Sequence, residues 1–340
     1  ILAFVIMQIL ISAGSISSLL QGLMVPLCTY IILAVSLNLV VGILGELSLG
    51  HAGFMCVGAF TSAFFSKCTR DVIASDGLRF FLALLIGIVT AAIFGMLIGI
   101  PVLRLKGDYL AIVTLAFGEI IKNMVNVLYI GKDSKGFHVT TKDVMALNMD
   151  ADGTVILNGP QGITGTPKNS TFVIGFILIL LTLFIVQNLI NSRDGRAIMA
   201  IRDNRIAAES IGINITKYKL MAFTISAAMA GAAGVLYAHN ISTLTANTNN
   251  FGYNMSITIL VFVVLGGIGN IRGSIIAAVI LTLLPELLRG MKDYRMLIYA
   301  IVLIVMMLFN WSPKAIEWRE KLNDWRKKHF SFGKKAKEVE

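Results

Sequence analysis

Residues 79–100 read RFFLALLIGIVTAAIFGMLIGI, and only the first of these side chains carries a charge. A helix that crosses the roughly 30 Å hydrocarbon core of a bilayer needs about 20 apolar residues, so this stretch predicts a membrane-spanning helix. Similar apolar segments lie on both sides of it. Together they predict an all-α polytopic membrane protein with about ten transmembrane helices, some broken or short. The predicted spans are 1–13, 23–42, 52–66, 79–100, 109–130, 172–191, 218–239, 255–268, 274–289 and 296–311.

The composition agrees with a membrane protein. Of the 340 residues, 56% are hydrophobic and only 14% are charged, and the mean hydropathy is +0.80. An ordinary soluble domain has roughly 45–50% apolar and about 25% charged residues. These values exclude a soluble enzyme, a disordered chain and a disulfide scaffold. The three cysteines form no CxxC pair, and we interpret them as buried thiols.

The net charge of +10 comes from 29 basic and 19 acidic residues, and the basic ones concentrate in two segments. Segment 193–219 and the tail 312–340 are both predicted to be cytoplasmic, because Lys and Arg accumulate on the inner side of membrane proteins. An even number of predicted spans separates them, so the two assignments agree. We expect a transmembrane domain over 1–311 and a basic cytoplasmic tail over 312–340 near anionic lipid. No nucleic-acid partner is expected, since no binding motif accompanies the charge.

Counting spans backwards from these segments places 101–108 inside and the long loop 131–171 outside. The outer loop carries as many Asp as Lys residues and therefore has no basic bias. The turn at 290–295 is the exception, because it is flanked by basic residues and yet falls outside in this topology.

Motifs for enzymatic chemistry are missing from the sequence. There is no G-x-x-x-x-G-K-[ST] phosphate loop, and none of the four His residues lies in a metal-ligand spacing. No polar cluster typical of a catalytic site occurs near a membrane face. We therefore expect a transport protein that is not itself an enzyme and binds no cofactor of its own.

Polar residues and glycines interrupt several spans. Glu119 lies near the middle of its span, and a charge there indicates either a translocation role or a hydrogen bond between helices. The Gly-rich stretch 45–53 and the break at 266–273 are typical of broken helices, whose free N–H groups can face a substrate. For His51 and Ser48, packing and turn formation are the alternative. The candidate translocation-path residues are Gly45, Ser48, Gly50, His51, Glu119, Gly267 and Gly269.

A zwitterionic substrate would need one partner for each of its charges. We hypothesise that N–H groups in the 45–53 break bind the carboxylate and that Glu119 binds the ammonium group. Pro285 lies inside a predicted span and predicts a kink there.

The cytoplasmic loop 193–217 predicts two short helices. Its Ala-rich sequence carries charges at three- and four-residue spacing, which is typical of an amphipathic helix. Asp203 or Asn204 can cap a second helix running to Ser210, and Gly212 is a natural C-terminal stop.

Ile206 and Ile211 are apolar side chains that the loop would present outward. Such a helix can lie on lipid, dock into the groove of a partner protein, or be a simple surface helix.

Ala207-Ala208-Glu209 followed by Gly212 resembles the coupling loop of ABC-importer permeases. Over 36–289 the chain resembles the LivM-type branch of the branched-chain amino acid ABC permease family. The resemblance rests on SLNL (36–39) through GHAGF (50–54), LKGDYLAI (105–112) through GEI (118–120), 195–212, and LGGIG (265–269) through Gly273 with LPELLR (284–289).

The resemblance implies an ABC-importer permease fold in a bacterial plasma (inner) membrane, with the C-terminus in the cytoplasm. The partners would be a second, LivH-type permease subunit, two ABC ATPase subunits that use ATP and Mg, and an extracytoplasmic substrate-binding protein. The outer loop would receive the binding protein. The residues that would couple to the ATPase are Arg202, Asp203, Asn204, Ala207, Ala208, Glu209 and Gly212.

The implied cargo is leucine, isoleucine or valine, moved inward by alternating access. Urea, amides or other small polar solutes are the alternatives within the family. Two alternatives come from other classes of protein. One is an ion-coupled secondary transporter, and the other is a membrane scaffold that presents 193–217 to a partner without transporting.

Overall fold

The computed structural model describes residues 8, 18–70, 72–103, 105, 107–150, 153–288 and 294–311. Most of these residues lie in helices, as the apolar segments predict. The helices are α1 (Ser18–Asn38), α2 (His51–Cys68), α3 (Asp76–Val102), α4 (Asp108–Val127), α5 (Phe172–Asn191), α6 (Arg193–Asp203), α7 (Arg205–Ser210), α8 (Ile215–Ala238), α9 (Thr248–Phe251), α10 (Tyr253–Gly266), α11 (Ile271–Leu287) and α12 (Arg295–Trp311).

Several predicted features lie outside the described residues. They are the first span at 1–13 apart from Gln8, the basic tail 312–340, Arg104 and Lys106 of the inner turn, and 289–293 at the turn before α12.

Six helices in the described part of the chain are long and apolar enough to cross a membrane, which makes the chain a multi-pass membrane protein. Helices α2, α11 and α12 are shorter or less apolar, with 18, 17 and 17 residues. The total of about ten spans stays a prediction. The six are Leu20–Leu44, Asp76–Val102, Tyr109–Val127, Phe172–Asn191, Ile215–Ala238 and Thr248–Gly266.

Small residues bring α2, α3 and α8 close together at the centre of the fold. Gly231 of α8 faces Ala91 of α3 with no space for a Cβ atom, and Gly95 of α3 packs in the same way on Ala227. Such contacts let helix backbones approach where lipid provides no hydrophobic driving force for their association. Ala227 and Gly231 lie four residues apart in α8, so both contacts fall on the same face of that helix.

Helix α1 is mostly buried and ends in a π-helical turn, Leu39–Leu44. This turn packs on the break between α10 and α11. Gly42 lies against the backbone of Gly269 and leaves no room for a side chain. Asn38 holds the break in place, since its Nδ2 donates to Ser274 Oγ (2.9 Å) and its Oδ1 accepts from the amide of Gly269 (2.9 Å).

Two small antiparallel sheets involve the long loop between α4 and α5. The strands β1 (Tyr129–Asp133), β2 (Gly136–Thr140) and β3 (Thr154–Asn158) form one sheet in the order β2-β1-β3, and β4 (Ile163–Thr164) pairs with β5 (Thr243–Leu244). The predicted helix 109–130 is therefore too long. Helix α4 ends at Val127 because the next residues pair with β2 and β3.

We call the end of the bundle with the strands the sheet end and the opposite end, with α6 and α7, the loop end. Helix α4 runs between them. Its first turn lies at the loop end, where Gly107 and Arg205 line one small cavity, and its last residue precedes β1. The common side predicted for 101–108 and 193–219 agrees with this arrangement.

Candidate functional site

Glu119 lies near the middle of α4 in a cluster of polar groups. Its carboxylate forms an ion pair with Lys122 of the same helix. The ammonium of Lys122 also donates to Thr248 Oγ1 (3.1 Å), and the amide N–H of Tyr253 donates to Glu119 Oε1 (2.8 Å). The cluster thus joins α4 to α9 and to the first residue of α10.

The hydrogen bond from Tyr253 to Glu119 also has an electrostatic component. Tyr253 begins α10, so its N–H belongs to the free donors at a helix N-terminus, which carry a partial positive charge. The carboxylate of Glu119 neutralises both that partial charge and the charge of Lys122. Of the two roles left open for Glu119, the hydrogen bond between helices is present. A role in translocation stays a prediction.

Polar side chains are exposed around the cluster. Asn123 of α4, Asn249 of α9 and Asn254 of α10 are all exposed, and Asn254 Nδ2 donates to Asn249 Oδ1 (3.0 Å). We call the surface formed by Glu119, Asn123, Asn249, Tyr253 and Asn254 the polar face. All five residues lie within candidate membrane spans, where polar side chains are costly against lipid, so we expect the polar face to contact water or another protein.

Residues 50–53 of the 45–53 break are buried inside the fold and do not belong to the polar face, whereas Gly45 and Leu47 are exposed. His51 is buried and its Nε2 shares a hydrogen bond of 2.7 Å with Ser36 Oγ. Ser48 is also buried. The amide of Leu49 donates to Thr114 Oγ1 (3.1 Å), and that of Ala52 donates to Ser256 Oγ (3.1 Å). These donors, which were hypothesised to bind a carboxylate, already have partners within the chain.

The remaining predicted path residues lie at three other places. Gly50 packs against the carbonyl of Thr114 on α4, and Gly45 packs against the side chain of Arg202 at the loop end. Gly267 and Gly269 form the break that Asn38 holds. The structure therefore does not bring the predicted path residues together on one surface, and Glu119 is the one that belongs to the polar face.

Helices α6 and α7 lie in the predicted coupling loop, 193–217, which we call the coupling segment. The sequence left two candidates for the N-cap of the second helix, Asp203 and Asn204. Asn204 is the cap, because the amide of Ala207 donates to Asn204 Oδ1 (3.1 Å). The second helix ends at Ser210, and Gly212 follows with φ +85°. The local structure of this segment is confirmed.

The two sides of α7 differ in exposure. Ala208 is only 2% exposed and packs with Ile201 and Ile215, so it supports the segment from within. Ile206 and Ile211 are 81% and 75% exposed. These two exposed aliphatic side chains are available for contact with another protein or with lipid.

Arg202 connects the coupling segment to the membrane helices. Its Nη1 donates to the carbonyl oxygen of Gly42 (3.0 Å) in the π-helical turn, and its Nη2 pairs with Asp203 (2.9 Å). Beside it, Glu46 forms an ion pair with Lys219 at the start of α8.

Sequence reasoning missed Lys122 and Lys219. The spacing of Glu119 and Lys122 is a sufficient signal for their helical ion pair, whereas no local pattern links Glu46 to Lys219. Among the described residues, no group of His, Cys, Asp and Glu is placed to hold a metal ion.

Comparison with known proteins identifies similar chains. The family described as "Branched-chain amino acid transport system / permease component" matches residues 19–309. The high-affinity branched-chain amino acid transport system permease protein LivM of Salmonella typhimurium is 35% identical over 84% of this chain and 67% of its own length. The corresponding LivH protein of Escherichia coli is 25% identical over 74% of this chain and 79% of its own. No solved structure is significantly similar.

Proposed function

Since the chain belongs to the family of branched-chain amino acid transport permeases, we propose that it forms one half of the membrane pathway of an ATP-driven importer. The chain is the permease component and not the ATPase subunit. The cargo we propose is an aliphatic amino acid such as leucine, isoleucine or valine. A second permease subunit, two ATPases and a soluble binding protein complete the proposed assembly.

The contacts and exposure of the coupling segment are the observation that supports this proposal most directly. Ile206 of α7 and Ile211 directly after it are exposed, while Ala208 of the same helix packs against the chain beneath it. Arg202 links the segment to the π-helical turn of α1, which in turn packs on the break before α11. Movement of an ATPase bound to α7 would therefore be transmitted by direct contacts to α1 and α11. Alternating access requires such rigid-body movement of membrane helices.

The polar face supports a pathway shared with the second permease subunit. Its exposed Asn residues and the partly exposed Glu119 suit a water-filled path better than lipid. In this arrangement the loop end faces the cytoplasm, and the sheet end receives the binding protein. The full count of about ten spans and the cytoplasmic C-terminus belong to the same proposal.

The decisive experiment asks whether α7 binds an ATPase. We would purify the complex of all subunits with Ile206→Glu plus Ile211→Glu in this chain. We expect loss of the co-purified ATPases and of ATP-driven leucine uptake in proteoliposomes, because two carboxylates would replace the apolar contact. Ala208 is unsuitable for this test, since its substitution would disrupt the packing within the segment itself.

Val72→Glu is the matched control, because Val72 is 78% exposed and follows α2 at the sheet end. This variant should keep the co-purified ATPases, because Val72 lies at the end of the bundle opposite α7. If the wild-type chain purifies without an ATPase, or if its leucine uptake follows an ion gradient instead of ATP, the proposed function is wrong.

A further inference from the structure

A cavity of about 560 Å³ lies between α1, α8, α10 and α11, away from the cluster of Glu119. Tyr237 and Asn240 at the end of α8 line it, so it reaches toward the sheet end. Thr258 lines it from α10, one turn beyond Asn254 of the polar face. Its volume lies within the roughly 300–1,000 Å³ of typical small-molecule sites.

Two prolines from different helices meet at this cavity. Pro26 lies inside α1 and Pro285 inside α11, and both line the cavity. A proline has no N–H and cannot donate to the carbonyl four residues before it. The carbonyls that lose this hydrogen bond belong to Gly22 and Leu281, and both residues line the same cavity. Two residues whose carbonyls lack their regular helical donor therefore line one cavity.

Further polar residues line the cavity. Glu286 follows Pro285 in the chain, and Tyr30 lines the cavity from α1. The hydroxyl of Thr282 is buried without a hydrogen-bond partner among the described residues. Leu23 and Phe262 provide apolar walls.

A carboxylate and two carbonyls accept hydrogen bonds, and an ammonium group offers three donors and no acceptor. The amide of Asn240 and the hydroxyls of Tyr30 and Tyr237 supply donors that suit a carboxylate. An aliphatic side chain suits the apolar walls. A second large cavity among the described residues, between α2, α3 and α4, offers no such contrast, because the hydroxyls of Thr61 and Thr90 there bond to each other and to helix carbonyls.

We infer that the cavity between Pro26 and Pro285 is a binding site for an aliphatic amino acid within the permease. The carbonyls of Gly22 and Leu281 and the carboxylate of Glu286 hold its ammonium group. The inference rests on the proposed function and adds to it a place where the substrate is recognised inside the membrane, independent of the binding protein.

Substitution of the prolines tests the carbonyls directly. In Pro285→Ala the new N–H restores the helical hydrogen bond and occupies the Leu281 carbonyl, so the variant should fold normally and bind less tightly. Pro101→Ala is the matched control, because Pro101 also lies inside a helix, α3, but does not line the cavity. Glu286→Gln removes the negative charge and keeps the size of the side chain.

The measurement is binding of radiolabelled leucine to the complete complex in nanodiscs, without the binding protein. Competition with 3-methylbutylamine, which has the ammonium group alone, and with 4-methylpentanoate, which has the carboxylate alone, identifies the group recognised. We expect the amine to compete at least tenfold better than the acid. We also expect at least tenfold weaker leucine binding in Pro285→Ala and Glu286→Gln, with wild-type binding in Pro101→Ala and unchanged thermal unfolding in both proline variants.

Leucine binding unchanged in both cavity variants, while the wild-type complex takes up leucine with ATP, would overturn the site and leave the proposed function standing. Preferred competition by the acid would overturn the assignment of the ammonium group. Absence of ATP-driven leucine uptake by the wild-type complex would instead overturn the proposed function, and the ligand assigned to this cavity with it.

Discussion

Arg202 donates a hydrogen bond of 3.0 Å to the carbonyl oxygen of Gly42, which joins the coupling segment to the π-helical turn of α1. The two residues are 160 positions apart in the chain. Because the turn leaves carbonyls without regular helical donors, an arginine fork can reach one of them without breaking α1. A displacement of α6 and α7 would therefore be transmitted directly to α1, which is mostly buried.

We predict that Arg202→Lys uncouples ATP hydrolysis from transport. Lysine keeps the positive charge but cannot hold Gly42 and Asp203 with a planar fork. A hydrogen bond to a charged group is worth about 1.5–3 kcal/mol, so we expect roughly tenfold less leucine uptake per ATP hydrolysed. Assembly and ATP hydrolysis should persist. The control is Arg205→Lys in the same segment, and equal uptake per ATP in the two variants would contradict the prediction.

The pair of Glu119 and Lys122 gives a second prediction. Glu119→Gln still accepts the N–H of Tyr253, but it leaves the ammonium of Lys122, whose side chain is 9% exposed, without its anion. We expect a lower unfolding temperature. The loss in free energy of unfolding should be smaller than the about 3–5 kcal/mol lost when a fully buried pair is broken, because the side chain of Glu119 is 25% exposed.

The double variant Glu119→Gln plus Lys122→Met separates stability from transport. Removing both charges should recover the unfolding temperature, since no buried charge then lacks a partner. If the polar face lines the pathway, uptake should stay at least tenfold below wild type. Recovery of uptake together with stability would mean that the pair is only a link between helices.

Much of the helical fold could be predicted from the sequence because its signals are local. The apolar segments and the Asn204 cap each depend on neighbours within a few residues. The strands were missed because 129–140 follows an apolar helix directly and β1 is completed by β3, which comes much later in the chain.

The candidate sites were harder to predict than the helices. The pairing of Glu46 with Lys219 and the meeting of Pro26 with Pro285 depend on helices that are distant in sequence. A single sequence predicts a kink at Pro285, but it does not reveal that Pro285 and Pro26 line the same cavity. Ala208 fitted the coupling motif, and only its packing with Ile201 and Ile215 shows that it points inward.

The close approach of Gly42 to Gly269 predicts a sharp steric limit. A Cβ atom at Gly42 would overlap both the backbone of Gly269 and the side chain of Asn38. We expect Gly42→Ala to destabilise the protein by about 1–3 kcal/mol, the typical cost of overpacking, seen as a lower unfolding temperature. Gly77→Ala is the control, because nothing lies within 4 Å of a Cβ there and the helix α3 favours alanine. Equal unfolding temperatures would show that the π-helical turn can move away.

The sheet end gives a prediction about pH through Asp133. Burial alone would raise the pKa of this carboxyl. Hydrogen bonds from the amides of Lys135, Asp150 and Gly136, together with His138 at 2.9 Å, instead hold its pKa below the usual value. A carboxyl with a lowered pKa in the folded protein stabilises it above its unfolded pKa of about 3.9, and this contribution disappears as the pH falls through the lower folded value.

We therefore expect Asp133→Asn to speed amide hydrogen exchange in β1 and β2 at pH 7, because the neutral amide loses the charge that these donors and His138 stabilise. The difference from wild type should persist down to about pH 4 and vanish only at lower pH, where Asp133 itself becomes neutral. Asp194→Asn at the loop end should leave exchange in these strands unchanged. A difference that stays constant from pH 7 to below about 3 would contradict the role of the charge and indicate a purely steric effect of the amide.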